Sequence, residues 1–497
     1  MRTVIQALFA AINLYSEYFL GLLVSIIIAR SLSTEDYGIY SSAIWVAGLV
    51  TVAINSGLSI TVTKFVAEFR QRCLNSLSGL IYFINKQLIK RIFCVVSIFI
   101  LLIAFNVEIM RVPTWLVLTL VICAIFKAIY IYNISIFKGL QRFDVLAKTS
   151  MIANPLNLFS VAICAYFFPS VESFLLAYCL ACIAFGLSVF IFKSDLPNAC
   201  SSVNISDHTK RINTQILSAT VIVFLGALVF RQGQILILEN NNLLAEAGFF
   251  NIAFILATSA VTLIPGIYQE VLLPKIAKAT KNHDFNRSLD QAQRYLLILC
   301  LMVLFPVIMY ADVIIDILYG PRYQSAVFAL QMMVIFKVMI VVNNGANLTL
   351  ISKDRQVTMA KTHLSIFLLS LLLSFTITPE YGVNGALVVY GLLVLVLVLS
   401  YHFLAKKQGY SFISINLLVP ILGASLISIL PLFVINSYLS GITSALVGSF
   451  IYLILYLHLL LIFKGFDSSV GYLFKQLSGN GPKVCKDYFL WCSKQAN

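Results

Sequence analysis

Long uninterrupted apolar runs constrain this chain more than any other feature. They can be read at 5–29, 38–58, 92–107, 112–136, 149–168 and 173–192. After a polar stretch they resume at 215–238, 247–268, 295–318, 325–351, 362–378, 383–405, 413–436 and 441–463. A membrane-crossing helix needs about 20 predominantly apolar residues, and the runs cluster around that length. They are continuous rather than alternating, which excludes a transmembrane barrel. Composition agrees: 60% of the 497 residues are hydrophobic and 11% are charged, whereas soluble globular chains average about 45–50% apolar and about 25% charged. The sequence predicts an all-α integral membrane protein with about fourteen transmembrane helices. It excludes a water-soluble enzyme.

The net charge of +14 then reports topology before it reports any nucleic-acid partner. With the N-terminus inside, Arg30, Arg111 and Arg322 fall outside and Lys127, Arg231 and Lys337 fall within spans. That leaves 28 of the 34 basic residues inside. This asymmetry predicts both termini in the cytoplasm. The first run lacks a small-residue cleavage pattern and reads as a span rather than a leader. Every outside connection is short. The basic inside loops lack clustered stacking aromatics, so no nucleic-acid partner is expected.

The chain also repeats itself. T-E-D-Y-G-I-Y-S (34–41) resembles A-E-A-G-F-F-N-I (245–252), and Q-R-F-D-V-L-A-K-T (141–149) aligns with D-R-Q-V-T-M-A-K-T (354–362). The second pairing sets Arg142 against Arg355 and Lys148 against Lys361. Both offsets are close to six spans, so the halves share one orientation and are related by an axis along the membrane normal. The predicted organisation is a six-helix bundle over 1–193, a cytoplasmic linker over 194–214 and a second six-helix bundle over 215–405. Two further helices span 406–463, and a cytoplasmic tail covers 464–497.

A-R-S-L-S-T-E-D-Y-G-I-Y-S (29–41), after a long first helix, resembles the signature of polysaccharide and O-antigen-unit flippases. Ala67-Glu68-Phe69, Ala247-Gly248-Phe249-Phe250-Asn251 and Leu273-Pro274-Lys275 fit the same pattern. These flippases belong to the multidrug/oligosaccharidyl-lipid/polysaccharide flippase superfamily. The resemblance implies two six-helix bundles in a V, with two extra C-terminal helices. It also implies transport of a polyprenyl-pyrophosphate-linked oligosaccharide across a bacterial cytoplasmic membrane. One departure stands in the seventh span, where many relatives carry an Asp and this chain has Arg231-Gln232-Gly233-Gln234. It weakens a cation-coupled reading of that helix. Read without the resemblance, Ser33 or Thr34 N-caps the second helix, Glu35 and Asp36 complement its dipole, and Gly38 permits close helix approach.

Four charges lie in the wrong solvent: Glu17, Lys127 and Lys337 near the middles of their spans, and Arg231 outward of the seventh span's centre. An ionised side chain at such depth costs about 2.5–3.5 kcal/mol on insertion scales, so each needs a wet cavity, a partner or a ligand. An ion pair of Glu17 with one of the cations, or snorkelling of Arg231, would answer the need without a ligand. Polar companions favour a cavity. Lys337, Asn344 and Asn347 recur at i, i+7 and i+10. Arg231 and Gln234 are three apart, as are Lys127 and Tyr130, while Asn13 and Glu17 are four apart. Three cations against one acid suit an anionic substrate. The expected substrate-binding residues are Glu17, Lys127, Arg231, Gln234, Lys337, Asn344 and Asn347. No catalytic residue, metal or cofactor is expected. Cys179 and Cys182 form a C-x-x-C that reads as apolar packing.

The leading expectation is thus a lipid-linked oligosaccharide flippase working by alternating access. A cation-coupled multidrug exporter of the same superfamily would call for more intramembrane acids. A major-facilitator porter would carry Gly and Asp in the inside loop, where T-K-F-V-A-E-F-R-Q-R (63–72) stands. A glycan polymerase or glycosyltransferase would need a sizeable outer loop, and no nucleotide-binding G-x-x-x-x-G-K-[ST] occurs. Partners would be the lipid-linked substrate, the membrane, and glycosyltransferases or the polymerase of the same pathway. The tail, with Tyr472, Phe474, Phe489 and Trp491 among lysines, reads equally as membrane-surface contact, enzyme contact or unstructured chain.

Overall fold

A computed structural model describes residues 2–72, 77–105, 111–189, 191–192, 206–261, 282–410, 415–463 and 465. The linker residues Asp195, Asn198, Ser201 and Ser202, the Leu273-Pro274-Lys275 motif and the aromatic tail lie outside the described residues. Among the described residues, regular structure is helical throughout. The first half runs through α1 (Arg2–Ser31), α2 (Thr34–Asn55), α3 (Leu58–Arg72), α4 (Leu77–Ala104), α5 (Thr114–Gly139), α6 (Phe143–Phe167) and α7 (Val171–Ser188). The second runs through α8 (Ser206–Phe230), α9 (Gln234–Asn240), α10 (Leu244–Val261), α11 (Asn282–Met309), α12 (Ala311–Tyr319), α13 (Val327–Val342), α14 (Asn344–Ser352) and α15 (Gln356–Lys406). Two more helices, α16 (Ile415–Tyr438) and α17 (Gly441–Ile462), follow.

Thirteen helical stretches among the described residues are long and apolar enough to cross a membrane. One of them, α15, is two helices meeting at Gly382, whose φ of 56° is open to glycine at little cost. Counting it twice gives the fourteen crossings expected. The apolar belt faces outward, as lipid contact requires: Phe159, Phe375, Phe433 and Leu446 are each more than 60% exposed.

The helices depart from the apolar runs in informative ways. The third span begins at Leu77 rather than 92, because Lys86, Lys90 and Arg91 ride on its first turns instead of in a loop. Residues 58–72, expected as loop, form α3. The seventh span is interrupted at 231–233, the ninth at Tyr310 and the tenth at Asn343. Hydropathy registers the length of an apolar run, not a one-residue break within it. At the seventh span the cause is local: Gln232 has φ 56°, and a Cβ on Gly233 would stand 1.8 Å from the Leu228 carbonyl oxygen.

Two bundles result. In one, α1 packs on α6, α7 on α5 and α6, and α2 and α3 on α5. In the other, α8 and α14 pack on α15, and α10 and α11 on α13. Helices α16 and α17 pair and lean on α11. We call near the side on which α1 begins and far the side on which it ends.

The bundles meet on the far side through α2 and α10, and the contact carries its own symmetry. A Cβ on Gly38 would collide with the Leu244 carbonyl at 2.0 Å, and one on Gly248 would press on the Thr34 carbonyl at 3.1 Å. Leu244 is 210 residues beyond Thr34, and Gly248 is 210 beyond Gly38. Between them, Asn251 donates to the Ser41 hydroxyl at 2.6 Å, again a pair 210 apart. These are self-complementary contacts about a pseudo-two-fold axis. They move the α2 repeat one residue from the alignment read in the sequence, so that Gly38 pairs with Gly248. The second repeat keeps its register. Gln141 and Asp354, aligned at 213, both have positive φ (59° and 52°), and Gly139 and Ser352 end the preceding helices.

The far side is tied further by arginines. Arg30 donates to the carbonyls of Leu318 (2.8 Å) and Ile317, Arg322 donates to the Arg30 carbonyl, and Arg111 donates to the Glu239 carbonyl (3.3 Å) and Asn242 Oδ1. Each of these three cations, expected outside against the positive-inside trend, therefore bonds one bundle to the other. On the near side the joint is lighter. Arg211 pairs with Glu68 at 2.8 Å, Lys64 with Asp354 at 3.8 Å, and Arg91 bonds Ser56 and Thr220. The buried core follows the same division. One large cluster spans both bundles through the far-side contacts of α2 and α10, a smaller one joins Ile212 and Ile216 of α8 to α2–α5 on the near side, and two others each lie within one bundle.

Candidate functional site

The expected site residues fall into two groups, one per bundle. In the first, Glu17 is exposed on α1 and acts electrostatically on Lys127 and Tyr130 of α5, without a direct ion pair. The Lys127 ammonium lies 3.2 Å above the centre of the Phe185 ring and 5.4 Å from that of Tyr130. Asn13, expected beside Glu17, is engaged elsewhere, accepting from the Ser150 hydroxyl on α6.

In the second, the Lys337 ammonium on α13 lies 3.4 Å above Phe254 of α10 and 5.7 Å from Tyr390 of α15. Arg231 is exposed at the break between α8 and α9 and acts electrostatically on Lys337. Its carbonyl is held by the Trp45 indole N–H of the opposite bundle. That bond fixes its backbone at the far-side joint. Both lysines are therefore half-buried cations held by aromatic faces, an interaction worth about 0.5–2 kcal/mol. The two lysines sit on corresponding helices of the repeat. Since α5 and α13–α14 align at 213, their positions differ by three residues, about 4.5 Å along the axis.

Other expected members are placed differently. Gln234 does not share a face with Arg231, because the intervening break turns it inward. It is buried, donating to Ser374 at 2.8 Å and accepting from Thr378 at 3.0 Å. Asn344 and Asn347 are half-buried on α14, beyond the break at Asn343, so the single polar face expected with Lys337 is interrupted. The expected cap is present: Ser33 accepts from the Asp36 N–H at 3.1 Å and donates to its carboxylate at 2.7 Å.

Sequence reading missed Glu239. It sits one residue past the expected end of the seventh span and reads there as a loop acid. In the fold it is 3% exposed, accepts from the Ser42 hydroxyl on α2, and has a second oxygen with no hydrogen-bond partner. The missed signal was the break at 231–233, which carries the helix farther along than hydropathy implies.

A family model described as polysaccharide biosynthesis protein matches residues 27–328. No curated protein matches the chain. Among solved structures, the fold is similar to the lipid II flippase MurJ in an inward closed conformation, at TM-score 0.69 and 15% identity, covering 95% of this chain and 99% of that one. It is also similar to an inward-facing multidrug-resistance MATE transporter of the MOP superfamily, at TM-score 0.61 and 12% identity, covering 82% and 99%. A MOP superfamily transporter from Pyrococcus furiosus, described as having a binding pocket of reverse polarity, matches at TM-score 0.57 and 13% identity, covering 82% and 96%. At these identities the likeness is one of fold.

Proposed function

The chain belongs to the polysaccharide biosynthesis protein family, and from that premise we propose that it flips a polyprenyl-pyrophosphate-linked oligosaccharide, an O-antigen or other surface-polysaccharide unit, from the cytoplasmic to the outer leaflet of a bacterial inner membrane. The observation that carries this reading is the charge of the intramembrane site. Lys127, Lys337 and Arg231 form no ion pair among the described residues, and the two lysines rest on aromatic rings. Unpaired cations at that depth are unfavourable unless a ligand neutralises them. A pyrophosphate would satisfy them, with Arg231 gripping two oxygens through its planar fork and the lysines acting as compact charges.

Transport would proceed by rocking of the two bundles. With the near side cytoplasmic, as the distribution of basic residues favours, the head group would enter past the Glu68–Arg211 and Lys64–Asp354 pairs. It would leave once the α2–α10 joint parts, while the lipid tail stays in the bilayer. The proposed role is transport, with no group making or breaking a glycosidic bond. Glycosyltransferases or the polymerase of the same pathway would be its partners on the two faces. Export of labelled glycan by Lys127→Ala, Lys337→Ala and Arg231→Ala variants tests the reading. Loss of export at unchanged membrane abundance is expected, and wild-type export by all three would contradict it.

A further inference from the structure

Glu239 is the charged-type side chain most deeply withdrawn from solvent at the contact between the bundles. Its surroundings are almost wholly specified. From α2, Ser42 is hydrogen-bonded to Oε2. From the segment leading into α5, Arg111 acts on the carboxyl through its backbone N–H and its charge, while its guanidinium bonds the Glu239 carbonyl and Asn242. Glu246 on the adjoining α10 turns away to accept from the Val383 N–H. That leaves Oε1 buried without a partner. A carboxylate so placed is strongly disfavoured, and the usual resolution is to neutralise it.

We infer that Glu239 is a proton-binding residue of the far-side joint, neutral while the joint is closed and ionised once it parts. One carboxyl and one hydroxyl supply too few oxygens to enclose a metal cation, and no group of three or more His, Cys, Asp or Glu able to hold one occurs among the described residues. Parting α2 from α9 and α10 admits water to both carboxyl oxygens, which more than replaces the lost Ser42 hydrogen bond, so the open state binds the proton more weakly. Linkage requires the reverse as well: lowering the proton concentration on the far side must favour opening. The inference depends on the bundles separating there and not on what is carried, so it stands or falls apart from the proposed substrate.

The test reads the joint directly, in the full chain reconstituted without substrate. Fluorophores on the exposed residues Glu172 and Tyr381, one on each bundle, report far-side separation. As pH rises from about 5 to about 8, the closed-to-open ratio of the wild type should fall by up to about tenfold per pH unit, the limit for one proton. Glu239→Gln, which mimics the neutral form, should remain closed and insensitive to pH. Ser42→Ala removes a donor that favours the ionised form, so its midpoint should move to higher pH. It also provides an independent check where Glu239→Gln fails to fold. A pH-independent wild type, a Glu239→Gln variant that titrates like wild type, an unmoved Ser42→Ala midpoint, or separation driven by sodium at fixed pH would each overturn the inference.

Discussion

At the residue scale, the chain places cations where a membrane protein normally avoids them and surrounds two of them with rings instead of acids. If the proposed pyrophosphate binds there, it would displace a ring and would not have to compete with a carboxylate. Charge is then the property that matters at Lys337, and Lys337→Arg should keep part of the export that Lys337→Ala loses. At Arg231, Arg231→Lys should be impaired more than Lys337→Arg, because a lysine cannot make the two-point contact. Loss of one charge-assisted hydrogen bond of about 1.5–3 kcal/mol corresponds to roughly a ten- to hundredfold drop in export, measured as glycan transported per unit protein. Four of the proposed site residues stand out in the sequence because a lone charge inside an apolar run is conspicuous. The surroundings of Gln234, Asn344 and Asn347 differ from those expected for one shared reason: each lies beyond a helix break that composition does not reveal. Glu239 was hidden by the break at 231–233.

At the element scale, the α2–α10 crossing fixes the far-side joint. Its two glycines are equivalent in the repeat but not in clearance. Gly38→Ala puts a methyl group into a main-chain carbonyl, while Gly248→Ala meets one at 3.1 Å. Overpacking of this kind typically costs about 1–3 kcal/mol. Gly38→Ala should therefore open the far side more than Gly248→Ala, read as greater modification of the joint by a membrane-impermeant reagent, and the opposite order would contradict the packing described. The near-side pairs behave otherwise. Arg211 is 53% exposed, so its pair with Glu68 contributes at most about 1 kcal/mol and is screened by salt. Glu68→Gln should leave the melting temperature nearly unchanged while raising near-side accessibility, an effect that shrinks as salt increases. The repeat that organises these contacts was visible in sequence at 141–149 because a basic loop recurs there. At α2 it slipped by one residue, since only the packing of Gly38 against Leu244 and Gly248 against Thr34 fixes the register.

At the scale of the whole molecule, two bundles are joined more extensively on the far side than on the near side. The class of fold was readable from run length and continuity alone, because hydrocarbon forces every spanning backbone into helices or closed barrels. Which side is closed was not readable, since it depends on small-residue contacts and on arginine bonds to backbone carbonyls. If the near side is cytoplasmic, reporter fusions after Lys464 should score as inside and fusions at Asn241 as outside; a C-terminus scored outside would break the fourteen-span arrangement. We propose that this chain alone carries a lipid-linked glycan between leaflets. The most direct measurement uses vesicles holding the purified protein and a fluorescent polyprenyl-pyrophosphate-linked oligosaccharide, with the glycan's movement followed by protection from an external reagent. Exchange between leaflets should run well above that of protein-free vesicles and fall toward that background with Lys337→Ala. Exchange no faster than in protein-free vesicles, from wild-type protein shown to be folded, would contradict the proposal.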